Sequence, residues 1–184
     1  MSAALATFPV VRLAKAAYEL GHAAEKDRQW LVISDLLQDL FGHQLFTALV
    51  YLKAQRLMGR IYTSDESISP LGGFKATGKG PWSKRVLDQG LTYIGSNEAD
   101  IKSVFSEADA LIARGLHSVL NIPVWSGGEV IGSLNLLSHK AAYDHVTQPL
   151  LELIAAMCAP VFLAEKETAL RAVATLDVSA LDSV

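Results

Sequence analysis

The chain carries one cysteine in 184 residues, Cys158. A single thiol excludes an intrachain disulfide and any metal site built from several cysteines, and it fits the reducing cytoplasm. There is no run of lysines or arginines, and the formal net charge is −3. That argues against a nucleic-acid partner, which asks for a basic face to neutralise phosphates. No uninterrupted apolar run reaches the roughly 18 residues of a membrane span. The apolar N-terminus is broken by Arg12, Lys15 and Glu19, so it lacks the continuous core of a secretory signal. The glycines between Asp65 and Lys79 do not form a phosphate-binding loop, because Gly80-Pro81 follows Lys79 where that motif needs a Ser or Thr. His139 and His145 lack the four-residue spacing of a helical metal motif, and no metal site is expected. A cytoplasmic protein without nucleic-acid or membrane partners is the expectation.

What is present is a core. Hydrophobic residues make up 51% of the chain and charged residues 19%, the reverse of a disordered composition. A chain of this length fits one large domain, with about two thirds of its unfolded surface buried. Helical spacing predicts a first helix from about Pro9 to Ala23, with Leu13, Ala16, Ala17 and Leu20 on one stripe, and a second from Lys26 to Phe41 that stops at Gly42. The period then shortens. Leu45–Leu52 and Leu57–Ser64 read as an antiparallel pair of strands joined by Lys53–Arg56. Asp65–Lys79 reads as a loop, Pro81–Gln89 as a short helix with proline at its start and Gly90 past its end, and Tyr93–Gly95 as a short strand. Asp100–Arg114 holds two short helical stretches. Ser118–Trp125 and Glu129–Leu137 are β-rich runs around Ser126-Gly127-Gly128, whose glycines supply the positive φ angles of a tight hairpin. A long helix follows from about Asp144 to Ala174, with Pro160 predicted to bend it.

This order resembles the GAF domain, a cytosolic small-molecule sensor fold. The resemblance is carried by Arg60-Ile61-Tyr62-Thr63-Ser64, by Pro81-Trp82 through Val86 and Gly90, by Ser118 to Val124, and by Gly132-Ser133-Leu134-Asn135-Leu136-Leu137, and covers roughly Asp27 to Leu163. It implies an α+β fold: a central antiparallel sheet with terminal helices on one face and a ligand cavity on the other, closed by the loop and short helices. It also implies a homodimer through the terminal helices. On this basis residues 1–26 form an N-terminal helix available as a dimer seam, 27–174 a GAF-like domain including the long helix, and 175–184 a tail. The stretch Ser138–His145 departs from the motif of cyclic-nucleotide-binding members. Cys158, in the long helix, is misplaced for covalent bilin attachment, and one cysteine cannot run the disulfide cycle of the methionine-sulfoxide-reducing members.

Strand alternation sorts the hairpin into two faces. Ser118, Leu120, Ile122, Val124, Gly132, Leu134 and Leu136 make a nearly all-apolar face suited to helix packing. The opposite face mixes apolar residues with Asn121, Ser133 and Asn135. Amides and a hydroxyl in an apolar pocket can orient a small polar ligand; they can equally pair with backbone or water. Tyr62 and Ser64 share a face of a strand that, by the resemblance, borders the cavity; sheet packing and a strand-end hydrogen bond are the alternatives. Trp82 is a pocket lid or the anchor of its short helix. His117, just before the hairpin, is a candidate ligand contact, acid or base, or a solvated surface histidine. Lys75 and Lys79 could draw an anion to the loop, and Asp100 suits a helix cap. Cys158, among Ile154, Met157, Val161 and Phe162, reads as inert packing.

The favoured expectation is therefore a cytosolic small-molecule-binding sensor module acting in signal transduction, with Tyr62, Ser64, Trp82, His117, Asn121, Ser133 and Asn135 as ligand-binding candidates. The alternative is an enzyme using the same cavity, prompted by the lack of a recognisable output domain, with His117, Tyr62 and Asp100 as acid, base or orienting groups. In a third version the cavity holds haem through histidine; the absence of Cys-x-x-Cys-His excludes covalent attachment only.

Overall fold

The computed structural model describes residues 3–175, and these divide into two compact units at Gly42/His43. The first unit is a pair of helices, α1 (Ala3–His22) and α2 (Lys26–Phe41). Helix α1 begins before the expected Pro9, which it contains, and continues through Gly21. An Arg12–Asp39 ion pair joins the two helices. Trp30, Ile33 and Leu37 of α2 are buried, and so are Val32 and Leu36, while Phe41 at its end is half-buried. Gly42 ends α2 at φ 71°, a left-handed value that glycine takes without penalty. The expected boundary at residue 26 falls at the start of α2, inside this unit. Of the expected tail, residues 176–184 lie outside the described residues.

The second unit is an α+β domain around a six-stranded antiparallel sheet: β1 (Leu45–Leu52), β2 (Leu57–Thr63), β3 (Phe74–Ala76), β4 (Tyr93–Gly95), β5 (Ser118–Ser126) and β6 (Glu129–Ser138), in the order β3-β2-β1-β6-β5-β4. The β5–β6 hairpin turns at Gly127 (φ 58°) and Gly128 (φ 79°), as the two glycines predict. Between β3 and β4 the chain makes a π-helical turn, Ser83–Asp88, entered through Pro81 and Trp82, where a simple short helix was expected. Helices α3 (Glu98–Val104) and α4 (Ala108–Ile112) precede β5, and α5 (Gln148–Val173) ends the unit. Helix α5 starts four residues later than expected and runs through Pro160 as one element.

Strand β3 lies within the segment expected to be loop. Its three residues are too few to show a period, and pairing with Leu57–Gly59 makes the strand. Phe74 packs on Gly59, where a Cβ would stand 2.8 Å from the ring. An aromatic over a strand glycine restores the contact the missing side chain forgoes.

Helix α5 covers one face of the sheet, on β1, β5 and β6. Ile154, Cys158, Val161 and Phe162 are buried along it, and Ala169 and Val173 join a cluster with Val50, Leu52 and Leu57. By length and composition α5 could cross a membrane, although Glu152 interrupts it; in this fold its apolar face lies on the sheet. Burial pushes the Cys158 thiol up to about 12, so it stays protonated, in line with a packing role. The opposite face carries two further clusters. One joins Leu45, Val119 and Leu137 to Ile101 and Leu116, the other Tyr51 and Met58 to Trp82, Val86 and Val130.

Helix α5 approaches the sheet closely at Gly132. A Cβ there would stand 2.3 Å from the Leu49 carbonyl oxygen and 2.5 Å from the Phe162 ring. Neither backbone nor a buried ring can yield that much, so Gly132→Ala is expected to lower the unfolding free energy by about 1–3 kcal/mol, the usual cost of overpacking. A urea melt with an unchanged midpoint would show that α5 is seated elsewhere.

Candidate functional site

On the face opposite α5 the sheet floors a cavity of about 140 Å³. Leu45, Thr47 and Leu49 of β1, Met58 and Arg60 of β2, Asn121 of β5, and Asn135 and Leu137 of β6 supply the floor. Val104, Phe105, Glu107 and Leu111 wall one side. Ser69, Gly72, Gly73 and Lys75, followed by Gly80, Trp82 and Ser83, make the cover.

Register explains which side chains reach the cavity. Directly opposed residues point to the same face. One row runs Tyr93, Asn121, Asn135, Thr47, Thr63 across β4, β5, β6, β1 and β2; a second runs Pro123, Ser133, Leu49, Arg60. Strand β2 has an irregularity here. Ala48 opposes Tyr62 while Leu49 opposes Arg60, so Ile61 is the extra residue of a bulge. Without it Arg60 and Tyr62, two apart, would share a face. With it Arg60 turns to the cavity and Tyr62 to the α5 side, where its ring meets Phe46 at 5.2 Å between centroids.

The polar floor is a network centred on Asn135. Its Oδ1 accepts from Asn121 Nδ2 (2.7 Å) and from the Ser133 hydroxyl (3.0 Å), and its Nδ2 donates to the carbonyls of Thr47 (3.4 Å) and Ser133 (3.3 Å). All three side chains are buried. Three polar atoms on cavity-lining residues have no partner: Asn121 Oδ1, Trp82 Nε1 and Arg60 Nε. Arg60 Nη1 donates to the Pro70 carbonyl at 2.8 Å, which ties the cover to β2. Burial pulls Arg60 below the ordinary guanidinium value, and the nearby Glu107 carboxylate opposes that shift. The cover is itself knotted: Asp65 accepts from the Ser67 hydroxyl (2.6 Å) and backbone N–H (2.9 Å), and these bonds hold its carboxyl below the usual range. Trp82 precedes the π-helical turn Ser83–Asp88, and its ring meets Phe105 at 6.4 Å between centroids; π geometry is frequent at functional sites.

The structure thus brings Trp82, Asn121, Ser133 and Asn135 together, Ser133 reaching the cavity through Asn135. It does not bring Tyr62, Ser64 or His117 to the lining. Ser64 follows the end of β2, accepting from Phe46 N–H at 2.9 Å and donating its own N–H to the Phe46 carbonyl at 2.8 Å. His117 Nδ1 lies 3.1 Å from Glu98 Oε1 at the surface. Asp100 sits in the first turn of α3: Asn97 caps it through Oδ1, and Asp100 Oδ2 accepts from Ser96 N–H and from the Asn97 side chain. His117, Tyr62 and Asp100 therefore do not form one acid–base constellation. No histidine lines the cavity, which lacks the axial ligand that the haem reading requires. Among the described residues no group of three or more His, Cys, Asp or Glu is placed to hold a metal. Sequence reasoning did not select Arg60 as a site residue. The signal was one charge inside the apolar run Leu57–Tyr62, but its face depends on the bulge.

No protein-family model and no curated protein matches this chain. Solved structures do. The GAF domain of the Acinetobacter phosphoenolpyruvate-protein phosphotransferase superposes with a TM-score of 0.70 at 11% identity, covering 92% of this chain and 99% of that one. Its counterpart from Coxiella burnetii gives 0.64 at 16% identity, over 91% and 97%. Free methionine-R-sulfoxide reductase from Neisseria meningitidis, solved with its substrate, gives 0.60 at 15% identity, over 91% and 96%. The chain has the GAF-domain fold.

Asn135→Ala strands the Asn121 amide and the Ser133 hydroxyl together, and is expected to cost about 1–3 kcal/mol. Asn121→Ala leaves Asn135 three of its bonds and is expected to cost less. Equal losses in chemical denaturation would remove Asn135 from the centre of the network.

Proposed function

We propose that this chain is a regulatory module that senses a small molecule in the cavity between the sheet and its cover. The observation that carries this is the combination on one sheet face of an apolar cavity with a fixed amide network in its floor, the arrangement that orients a small ligand. The fold supports it. Among structures of this fold the Neisseria reductase was solved with its substrate. Thiol chemistry like a reductase's finds no support here, because Cys158 is buried in α5 on the other face. Binding would draw Pro70 and Gly72–Lys75 against Arg60 and Trp82, and the change in the cover would be the signal.

The module works in the cytoplasm as a homodimer through its terminal helices. Exposed Val10, Val11 and Tyr18 on α1, and Leu153, Leu163 and Leu170 on α5, favour the dimer. Sedimentation equilibrium should return twice the chain mass; a monomer at micromolar concentration removes the dimer.

Calorimetric titration with a broad panel of cytoplasmic metabolites should find at least one that binds and slows proteolysis within residues 65–80. If no compound binds, the sensor reading fails.

A further inference from the structure

The three unpartnered atoms of the cavity differ in kind. Buried polar groups are almost always paired. Asn121 is 1% exposed and Trp82 5%, yet Asn121 Oδ1 and Trp82 Nε1 have no partner, and Arg60 Nε shares that state. Two are donors and one is an acceptor. Arg60 brings a full positive charge and Lys75 lines the same cavity. Glu107, the one carboxylate in the lining, sets a single negative charge against those two. The balance favours a single anionic group over a dianion and disfavours a cation. Arg60 Nη1 is committed to the Pro70 carbonyl, which leaves the Nε edge of the guanidinium to meet an acceptor. A planar fork of this kind matches a carboxylate.

Spacing limits what lies between the charged and neutral ends. Arg60 is on β2 and Asn121 on β5, three strand spacings apart, or about 14 Å between backbones. The arginine side chain spans a good part of this. A cavity near 140 Å³ is close to the engineered cavities of about 150 Å³ that hold one benzene. Leu49 of β1 gives this middle an apolar floor, and Phe105 and Leu111 line the same cavity.

The geometry points to a small monocarboxylic acid as the ligand, with its carboxylate on the Nε edge of Arg60, an apolar body about one ring in size over Leu49, and a hydroxyl or N–H at its far end donating to Asn121 Oδ1. This rests on the reading of the cavity as a ligand site and adds the chemical class. Trp82 N–H completes the set by donating to an oxygen of the bound acid. Neutral amides lose the charge-assisted pair, amines meet Arg60 and Lys75 with like charge, and acids without the distal donor leave Asn121 unpaired.

The test uses the full chain and four matched probes: para-hydroxyphenylacetate, para-hydroxyphenylacetamide, tyramine and phenylacetate. Affinities are measured by calorimetry and checked by thermal shift. The hydroxy acid should bind about tenfold or more tighter than its amide, the difference a charged hydrogen bond makes. Tyramine should not bind, and phenylacetate should bind several-fold more weakly than the hydroxy acid. Arg60→Gln should erase the preference for acid over amide, and Arg60→Lys should keep part of it. Should Arg60→Gln fail to fold, the four probes on the unaltered chain still decide. The inference is overturned if the amide or the amine binds as tightly as the acid, or if none of the four binds. In either case a hit in the broad metabolite panel leaves the sensor reading standing, and a blank panel removes both.

Discussion

The architecture of the second unit depends on the contact between Phe162 and the bare backbone of Gly132. That contact sets how closely α5 lies on β6 and β1, because any Cβ at residue 132 would meet both the ring and the Leu49 carbonyl. With α5 seated, one face of the sheet is committed to helix packing, and Ile154, Cys158 and Val161 follow into the interior. The pleat then decides the rest. Residues alternating with Gly132, Leu134 and Leu136 must look the other way, and Ser133, Asn135 and Leu137 are those residues. The polar floor of the cavity is thus a consequence of where the helix sits.

One departure from regularity shapes the cavity above that floor. The bulge at Ile61 breaks the alternation of β2 and sends Arg60 to the cavity while Tyr62 goes to the helix side. A regular strand would not place Arg60 and Tyr62 as found. Trp82, just before the π-helical turn at Ser83–Asp88, is buried beside Phe105. The amide network is fully satisfied at Asn135 and incomplete at Asn121, so the floor is rigid where it holds itself together and open where a partner can be added.

Much of this was legible in the sequence. The hairpin was readable from Gly127-Gly128, and its two faces from simple alternation, which put Asn121, Ser133 and Asn135 on the cavity side. Strands β1 and β2 were readable as short apolar runs. What was not legible depends on partners distant in the chain. Strand β3 exists through its pairing with Leu57–Gly59, and three residues carry no period of their own. The faces of Arg60 and Tyr62 follow from a bulge that only the opposing strand defines. His117 drew notice for its chemistry, but its partner Glu98 comes from α3 and holds it at the surface.

The outermost strands, β3 and β4, are each three residues long, while the four between them run seven to ten. An exposed sheet edge is a template on which another chain can add a strand, and long flat edges invite aggregation. Here neither edge offers a ladder long enough to hold an incoming segment. The residues that made β3 hard to see, a brief strand between glycines, are also what keep the sheet from growing beyond six strands.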